Sequence, residues 1–172
     1  MNMVASPCIA HFFVTALQQR CSIVTHPETG ETVVIDGGGD SDRIIAWLDE
    51  GIGNPDAMIG SFAGQRKVVA LINTHAHFDH SGHIPYLKEH YGLEWWMHDD
   101  DTYLQSLAKL SGERWGFNLP EPAVAEHHWE HGDVHTFAGM DFEIIHTPGH
   151  TLGGCCLRLQ IEDGPDHLFV GD

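Results

Sequence analysis

Three histidines and an aspartate fall within one six-residue stretch of this chain, at His75, His77, Asp79 and His80. The stretch follows residues 68–72, an apolar run typical of a strand buried on both faces, and precedes residues 81–91, whose apolar spacing predicts a helix. Residues two apart in an extended segment share a face, so His75 and His77 can bind one metal ion. Asp79 and His80 stand at the predicted helix start and can face a second ion. This junction favours a layered α/β protein with a metal site at a strand end.

Two later segments carry the same chemistry. His150 follows a turn at Pro148 and Gly149 between two predicted strands, and such a turn can direct its imidazole inward. Asp172 follows directly on an apolar strand, where a carboxylate can bridge two cations. Because zinc binds imidazole nitrogen and carboxylate oxygen, both residues extend the predicted ligand set.

The rest of the chain has the pattern of one α/β domain spanning residues 1–172, with a mixed sheet or two sheets. Strands are predicted at residues 9–15, 21–25, 32–36, 68–72, 94–97, 133–137, 140–146, 154–161 and 167–170. Helices are predicted from a cap at Asp40 or Ser41 to Gly51, over residues 81–91, and from a cap within residues 99–101 through Leu110. Residues 54–66 and 111–130 are interpreted as surface loops.

The charge balance limits the possible partners. Twenty-five acidic residues against eight basic ones give a formal net charge of −17 at pH 7, which argues against nucleic acid and against an anionic membrane surface. No apolar run is long enough to span a bilayer, and the N-terminus lacks the signal-peptide pattern. We therefore expect a cytoplasmic protein with a small-molecule substrate. The sequence does not indicate an oligomeric state, and its four cysteines form no C-x-x-C pair.

The ordered segments H-A-H-F-D-H at 75–80, H-T-P-G-H-T at 146–151 and G-D at 171–172 resemble the metallo-β-lactamase superfamily. The D-G-G-G-D and W-E-H-G-D stretches at 36–40 and 129–133 share this likeness. Within the superfamily, the chain looks most similar to type II glyoxalases, also called hydroxyacylglutathione hydrolases, and their single-domain relatives. The resemblance implies an αββα sandwich and two divalent metal ions, with zinc expected and iron or manganese as alternatives. It places the first ion on His75, His77 and His150 and the second on Asp79 and His80, with Asp172 bridging them.

The chain departs from this family pattern at its end. The family supplies one more histidine to the second metal from beyond the bridging aspartate, whereas this chain stops at Asp172. Its last predicted strand also lacks a covering helix, which would leave a sheet edge open. We therefore expect a metallo-β-lactamase-fold domain that is incomplete at its C-terminus.

The resemblance implies a metal-dependent hydrolase acting on a thioester such as S-lactoylglutathione. Two metals would lower the pKa of a water so that metal-bound hydroxide exists near neutral pH and attacks the carbonyl carbon. Asp79 would be the catalytic residue that orients this nucleophile and moves its proton.

Two alternatives remain open at this point. A persulfide dioxygenase on the same fold would use one iron, held here by His75, His150 and Asp172. Alternatively, the chain is a catalytically incomplete fragment whose unpaired final strand pairs with another chain.

Overall fold

The computed structural model describes residues 2–172, which form two packed β-sheets with helices on one side. The first sheet has the strand order β4-β1-β2-β3-β5-β6-β7. Its strands are β1 Cys8–Val14, β2 Gln19–Thr25, β3 Glu31–Ile35, β4 Ala57–Ile59, β5 Lys67–Ile72, β6 Trp95–His98 and β7 His127–Trp129. Strands β4, β1, β2 and β3 pair antiparallel, and β3, β5, β6 and β7 pair parallel. Parallel pairing places the carboxyl ends of β5 and β6 at one edge of the sheet.

The second sheet is antiparallel and has the strand order β11-β10-β9-β8. Its strands are β8 Val134–Phe137, β9 Met140–His146, β10 Cys155–Leu159 and β11 His167–Phe169. Ala138 and Gly139 both have positive φ in the tight β8–β9 turn, as a two-residue hairpin of this type requires.

Five α-helices accompany these strands in the described part of the chain. They are α1 Ser41–Ile45, which continues into a π-helical turn at Ala46–Glu50, then α2 Phe78–Ser81, α3 Ile84–Tyr91, α4 Thr102–Ser106 and α5 Ala108–Arg114. A 3₁₀ turn at Asp99–Asp101 precedes α4. Within residues 2–172, no helix has the length and apolarity that crossing a bilayer requires.

Apolar side chains on both faces of the first sheet build two cores. Ile9, Val33 and Ile72 face the second sheet, where they pack with residues such as Phe142 and Trp129. The alternate residues Phe12, Val34 and Leu71 face the helices and contact the cluster that contains Ile44 and Leu87. The α/β fold class is therefore confirmed, with a helical layer, a mixed sheet and an antiparallel sheet as three successive layers.

Two predicted loops contain strands. β4 lies within residues 54–66, and its three exposed residues are held by pairing with β1 rather than by burial. β7 lies within residues 111–130 and places Trp129 in the core between the sheets, where the side chain is 1% exposed. Neither strand shows the alternating pattern that predicts one, because long-range pairing holds both in place.

Two predicted helices are interrupted, and one predicted cap residue occupies the N-cap position without a capping hydrogen bond. Pro85 lies in the first turn of α3 and has no N–H to donate to Ser81, so α2 cannot continue into α3. The predicted helix after residues 99–101 breaks at Leu107 and extends to Arg114. Asp40 does not cap α1 with its side chain, because that carboxylate accepts a hydrogen bond from the Thr15 N–H.

Candidate metal centre

All six predicted ligands meet at one edge of the sandwich. His75, His77, Asp79 and His80 follow β5 of the first sheet, on the loop into α2 and on α2 itself. His150 lies in the β9–β10 connection, and Asp172 follows β11, so both come from the second sheet. The candidate site therefore forms only when the two sheets pack against each other.

The first group of possible ligands consists of three histidines. One ring nitrogen from each of His75, His77 and His150 lies within 4.8 Å of the others. His77 Nδ1 and His150 Nε2 are 3.0 Å apart. Two nitrogens bound tetrahedrally to one zinc at its usual bond length are about 3.3 Å apart. The three imidazoles are thus spaced as ligands of a single ion would be.

The second group of possible ligands is Asp79, His80 and Asp172, whose ligand atoms also lie within 4.8 Å of one another. His80 Nε2 is 3.7 Å from Asp79 Oδ2 and 3.3 Å from Asp172 Oδ2. The same Asp172 oxygen is 3.8 Å from His150 Nε2 in the first group. Asp172 therefore stands between the two groups, where a bridging carboxylate would stand.

Two buried ring nitrogens at this centre have no hydrogen-bond partner. They are His75 Nε2 and His80 Nε2, the second of which lies 3.3 Å from Asp172 Oδ2 without the alignment of a hydrogen bond. The opposite nitrogen of each ring is occupied: His75 Nδ1 donates to Thr74 Oγ1 at 3.1 Å, and His80 Nδ1 donates to Asp36 Oδ2 at 3.0 Å. These hydrogen bonds fix both rings with Nε2 directed into the centre, as in histidines that bind metals. Since a buried polar atom without a partner is destabilising, this donor set fits bound cations.

The pKa shifts of the histidines agree with this reading. Burial, with a smaller effect of His80, lowers the pKa of His75 to about 4, so its imidazole is neutral at neutral pH. Burial opposes charge on His80, but the carboxylates of Asp172 and Asp36 outweigh it and raise the pKa of His80 to about 10. Contact with His80 in turn lowers the pKa of Asp172 to about 2. In the metal-free chain a proton on His80 supplies positive charge to these carboxylates, and a divalent cation would supply it instead.

Sequence reasoning did not assign Asp36 and Asp101 to the site. Asp36, at the end of β3, accepts hydrogen bonds from the Thr74 N–H and hydroxyl, both at 2.7 Å, as well as from His80. Asp36 therefore orients the His80 ring directly and the His75 ring through Thr74. The sequence signal available for this role was an acidic residue, Asp36, at the end of an apolar predicted strand.

Asp101 joins the two loops that carry the histidines. Its fully buried carboxylate accepts from the Ala76 N–H at 3.0 Å, the Thr151 hydroxyl at 2.9 Å and the Gly153 N–H at 2.7 Å. Ala76 stands between His75 and His77, and Thr151 follows His150. The sequence predicts Asp101 as part of a helix cap. In the structure its hydrogen bonds connect the part of the site on the first sheet with the part on the second sheet.

Two glycines allow the backbone to approach the ligands closely. A Cβ on Gly38 would lie 1.7 Å from the carbonyl oxygen of Asp79. Gly171 has a φ of +64°, and a Cβ there would lie 2.5 Å from Thr74 Oγ1. Side chains at these positions would displace α2 or Asp172.

A second histidine cluster has a geometry that does not suit one ion. Ligand atoms of His98, Asp100 and His146 lie within 4.8 Å of one another. However, the His98 and His146 rings are stacked 4.1 Å apart at an interplanar angle of 12°, and a metal lies in the plane of each ring that binds it. His146 Nε2 also donates to the Leu152 carbonyl at 2.8 Å, consistent with its predicted place outside the ligand pattern.

The sequence matches a known family and several named proteins. The model of the metallo-beta-lactamase superfamily matches residues 14–172. The chain is 32% identical over 163 residues to an uncharacterized protein of Aquifex aeolicus, covering 88% of this chain and 66% of that protein. It is 33% identical over 163 residues to the hydroxyacylglutathione hydrolase GloC of Haemophilus influenzae, covering 92% and 68%. A hydroxyacylglutathione hydrolase of Xanthomonas campestris pv. campestris is 32% identical over 126 residues, covering 73% and 40%. The chain thus spans about two thirds of the first two relatives and 40% of the third.

Solved structures share the fold. The BLEG-1 B3 metallo-beta-lactamase superposes with a TM-score of 0.73 at 22% identity, covering 88% of this chain and 66% of that one. TTHA1623 in a di-iron-bound form superposes with a TM-score of 0.67 at 26% identity, covering 86% and 65%. The first likeness supports the fold alone, and the second also involves a protein that holds two irons.

Proposed function

This chain belongs to the metallo-beta-lactamase superfamily, and we propose that it is a two-metal hydrolase that cleaves thioesters. One observation carries the proposal: the two ligand groups meet at Asp172, and the buried Nε2 atoms of His75 and His80 point into them without forming an aligned hydrogen bond. A centre for a single ion would not need the second group.

Each residue has a separate part in this proposal. His75, His77 and His150 would hold one cation, Asp79 and His80 the other, and Asp172 both. Bound divalent cations would supply an activated water and polarise the carbonyl of the substrate. Asp79 is 18% exposed through its side chain, so it can reach that water from the cavity wall and accept its proton. Asp36 and Asp101 hold the ligands in position, and the carboxylate oxygens of both are occupied by hydrogen bonds.

The proposal also specifies the substrate class, which is thioesters. Support comes from the 33% identity to a protein named hydroxyacylglutathione hydrolase GloC and from the chemistry of the leaving group. A thiolate leaves without a strong general acid, and Asp79 is the one carboxylate of the ligand set to which we assign proton transfer. S-lactoylglutathione is therefore the first substrate to test, with zinc, iron and manganese as the metals.

The alternative dioxygenase requires only His75, His150 and Asp172 around one iron. It gives no role to His77, although His77 Nδ1 lies 3.0 Å from His150 Nε2. It also leaves the second group without a function. The ligand arrangement therefore favours two metals and hydrolysis.

The experiment combines metal content with turnover. The chain is reconstituted with each metal, the ions per chain are counted, and thioester loss is followed by ultraviolet absorbance. We expect about two ions per chain and hydrolysis that His80→Ala abolishes, with the ion count falling to about one. His128→Ala, which removes an exposed imidazole outside the site, is the matched control and should leave both readings unchanged. One iron per chain, no thioester loss and oxygen uptake with glutathione persulfide would establish the dioxygenase instead. No bound metal would contradict both enzymes and support the incomplete fragment.

A further inference from the structure

A cavity of about 430 Å³ opens beside the candidate metal centre and extends between β1, β2 and β11. Its metal end is lined by Asp79, His80 and Asp172. Its far end is lined by His11, Phe13, Arg20, Ser22, His167 and Leu168. The volume lies within the range of small-molecule sites, so a substrate with its reactive group at the metals would place its remainder against the far end.

The far end carries a cation that the rest of the molecule leaves unpaired. Arg20 is the one Arg or Lys among the residues that line the cavity. Four of the eight basic residues, Arg43, Lys88, Lys109 and Arg158, form ion pairs with carboxylates, and Arg66, Lys67 and Arg114, which are unpaired in the described part of the chain, do not line this cavity. Arg20 forms none within residues 2–172, and its guanidinium lies 5.7 Å from the centre of the Phe13 ring. In a chain with a net charge of −17, a cation facing a cavity without a carboxylate partner is available to an anionic ligand.

Two histidines beside Arg20 remain neutral. The His11 and His167 rings stack with their centroids 6.3 Å apart, and His11 Nδ1 hydrogen-bonds the Ser22 hydroxyl at 2.9 Å. Burial and then the nearby charge of Arg20 lower the pKa of His11 to about 4, and the same causes lower the pKa of His167. When Nδ1 of neutral His11 accepts from the Ser22 hydroxyl, its Nε2–H is free to donate to a ligand, and neutral His167 likewise carries one N–H donor. A guanidinium with flanking N–H donors suits a planar carboxylate.

We propose that this far end is a carboxylate-binding subsite, so that the enzyme selects thioesters carrying an anionic group at a distance from the reacting carbonyl. Arg20 is the residue that determines this specificity, and His11 and His167 form the wall beside it. The inference rests on the proposed function for the position of the thioester. The carboxylate can belong to the thiol part or to the acyl part of the substrate.

The test compares three thioesters on the metal-reconstituted chain. S-lactoylglutathione carries carboxylates in the thiol part, S-succinyl-N-acetylcysteamine carries one in the acyl part, and S-lactoyl-N-acetylcysteamine carries none. We expect Arg20→Met to lower kcat/KM about ten- to thirtyfold for one of the charged substrates, mainly through KM. The uncharged thioester should change less than about twofold, and Arg20→Lys should recover part of the loss. Arg158→Met removes the same charge from the second sheet and should change none of the three.

A binding measurement separates failure of this inference from failure of the proposed function. S-methylglutathione and monomethyl succinate carry the same carboxylates but are not thioesters, and their dissociation constants can be measured without turnover. If the wild type hydrolyses no thioester, yet Arg20→Met weakens one of these ligands about tenfold, the subsite stands and the proposed function fails. Equal affinity of the wild type and Arg20→Met for both ligands would overturn the subsite. An equal loss for charged and uncharged thioesters would also overturn it.

Discussion

Replacing Asp101 with asparagine should loosen the candidate metal centre without removing any ligand. Oδ2 of Asp101 accepts from the Ala76 N–H and the Thr151 hydroxyl, and Oδ1 accepts from the Gly153 N–H. The asparagine amide can keep its oxygen in only one of these two positions. If the amide oxygen keeps the bonds to Ala76 and Thr151, the NH₂ group faces the Gly153 N–H. Both groups are donors, so no hydrogen bond forms between them.

The expected loss of stability follows from the hydrogen bonds that the substitution removes. One hydrogen bond to a charged acceptor is lost, and one buried N–H is left unsatisfied, at about 1.5–3 kcal/mol for such a bond. Relief from burying a carboxylate offsets part of the loss. We expect the free energy of unfolding of the metal-free chain to fall by about 2 kcal/mol, and metal affinity to fall tenfold or more because the histidine loops separate.

Urea unfolding of the metal-free chain and competitive metal titration measure the two effects. Asp100→Asn is the matched control, because that neighbouring side chain is 58% exposed, and it should change stability by less than about 0.5 kcal/mol. Unfolding free energies of Asp101→Asn and Asp100→Asn that agree within that margin would refute the reasoning. Reduced stability with unchanged metal affinity would show that Asp101 holds the sheets together without positioning the ligands.

Three further predictions concern the residues around the centre. Asp36→Asn should weaken binding of the second metal about ten- to a hundredfold, measured by titration, since the amide no longer fixes His80 as the carboxylate does; unchanged affinity would contradict this role. The free energy of unfolding should fall as pH decreases from about 6.5 to 4, because unfolded His11 takes up a proton near 6.5 while the folded pKa is about 4. In His11→Asn, denaturant midpoints measured across that range should fall less steeply than in the wild type, and an equal slope would exclude His11 as a cause. Gly38→Ala should lower the thermal midpoint and the metal content together, because its Cβ would meet backbone at 1.7 Å, whereas Gly149→Ala meets nothing within 4 Å and should leave the thermal midpoint unchanged; equal behaviour of the two variants would contradict the close approach.

The strands and the ligand stretch could be predicted because local pattern determines them. Residues 68–72 form the core of β5, and the residues of the predicted site lie on the loops that follow strands or on α2. Buried strands are apolar over several consecutive residues, so their limits are visible without knowledge of their partners. The order of the ligand residues along the chain resembles that of the metallo-β-lactamase superfamily, and this resemblance predicts which ion each residue would hold.

Features that depend on distant partners could not be predicted in this way. β4 is held by pairing with β1, and β7 by pairing with β6. Asp101 lies in a run of three aspartates typical of a helix start, and nothing local distinguishes the one that is buried against Thr151, 50 positions away. Its role follows from packing of the two sheets, which a local pattern does not contain.

The division of the ligands between two sheets also has a kinetic consequence. His77 and His150 are 73 positions apart in the chain, so the ring nitrogens meet only after long loops have closed. Contacts of such sequence separation form slowly and late in folding. Metal should therefore bind to the assembled sandwich rather than to the nascent first sheet, and should chiefly slow unfolding instead of accelerating folding. The metal centre would then set the lifetime of the folded chain, in addition to any role in turnover.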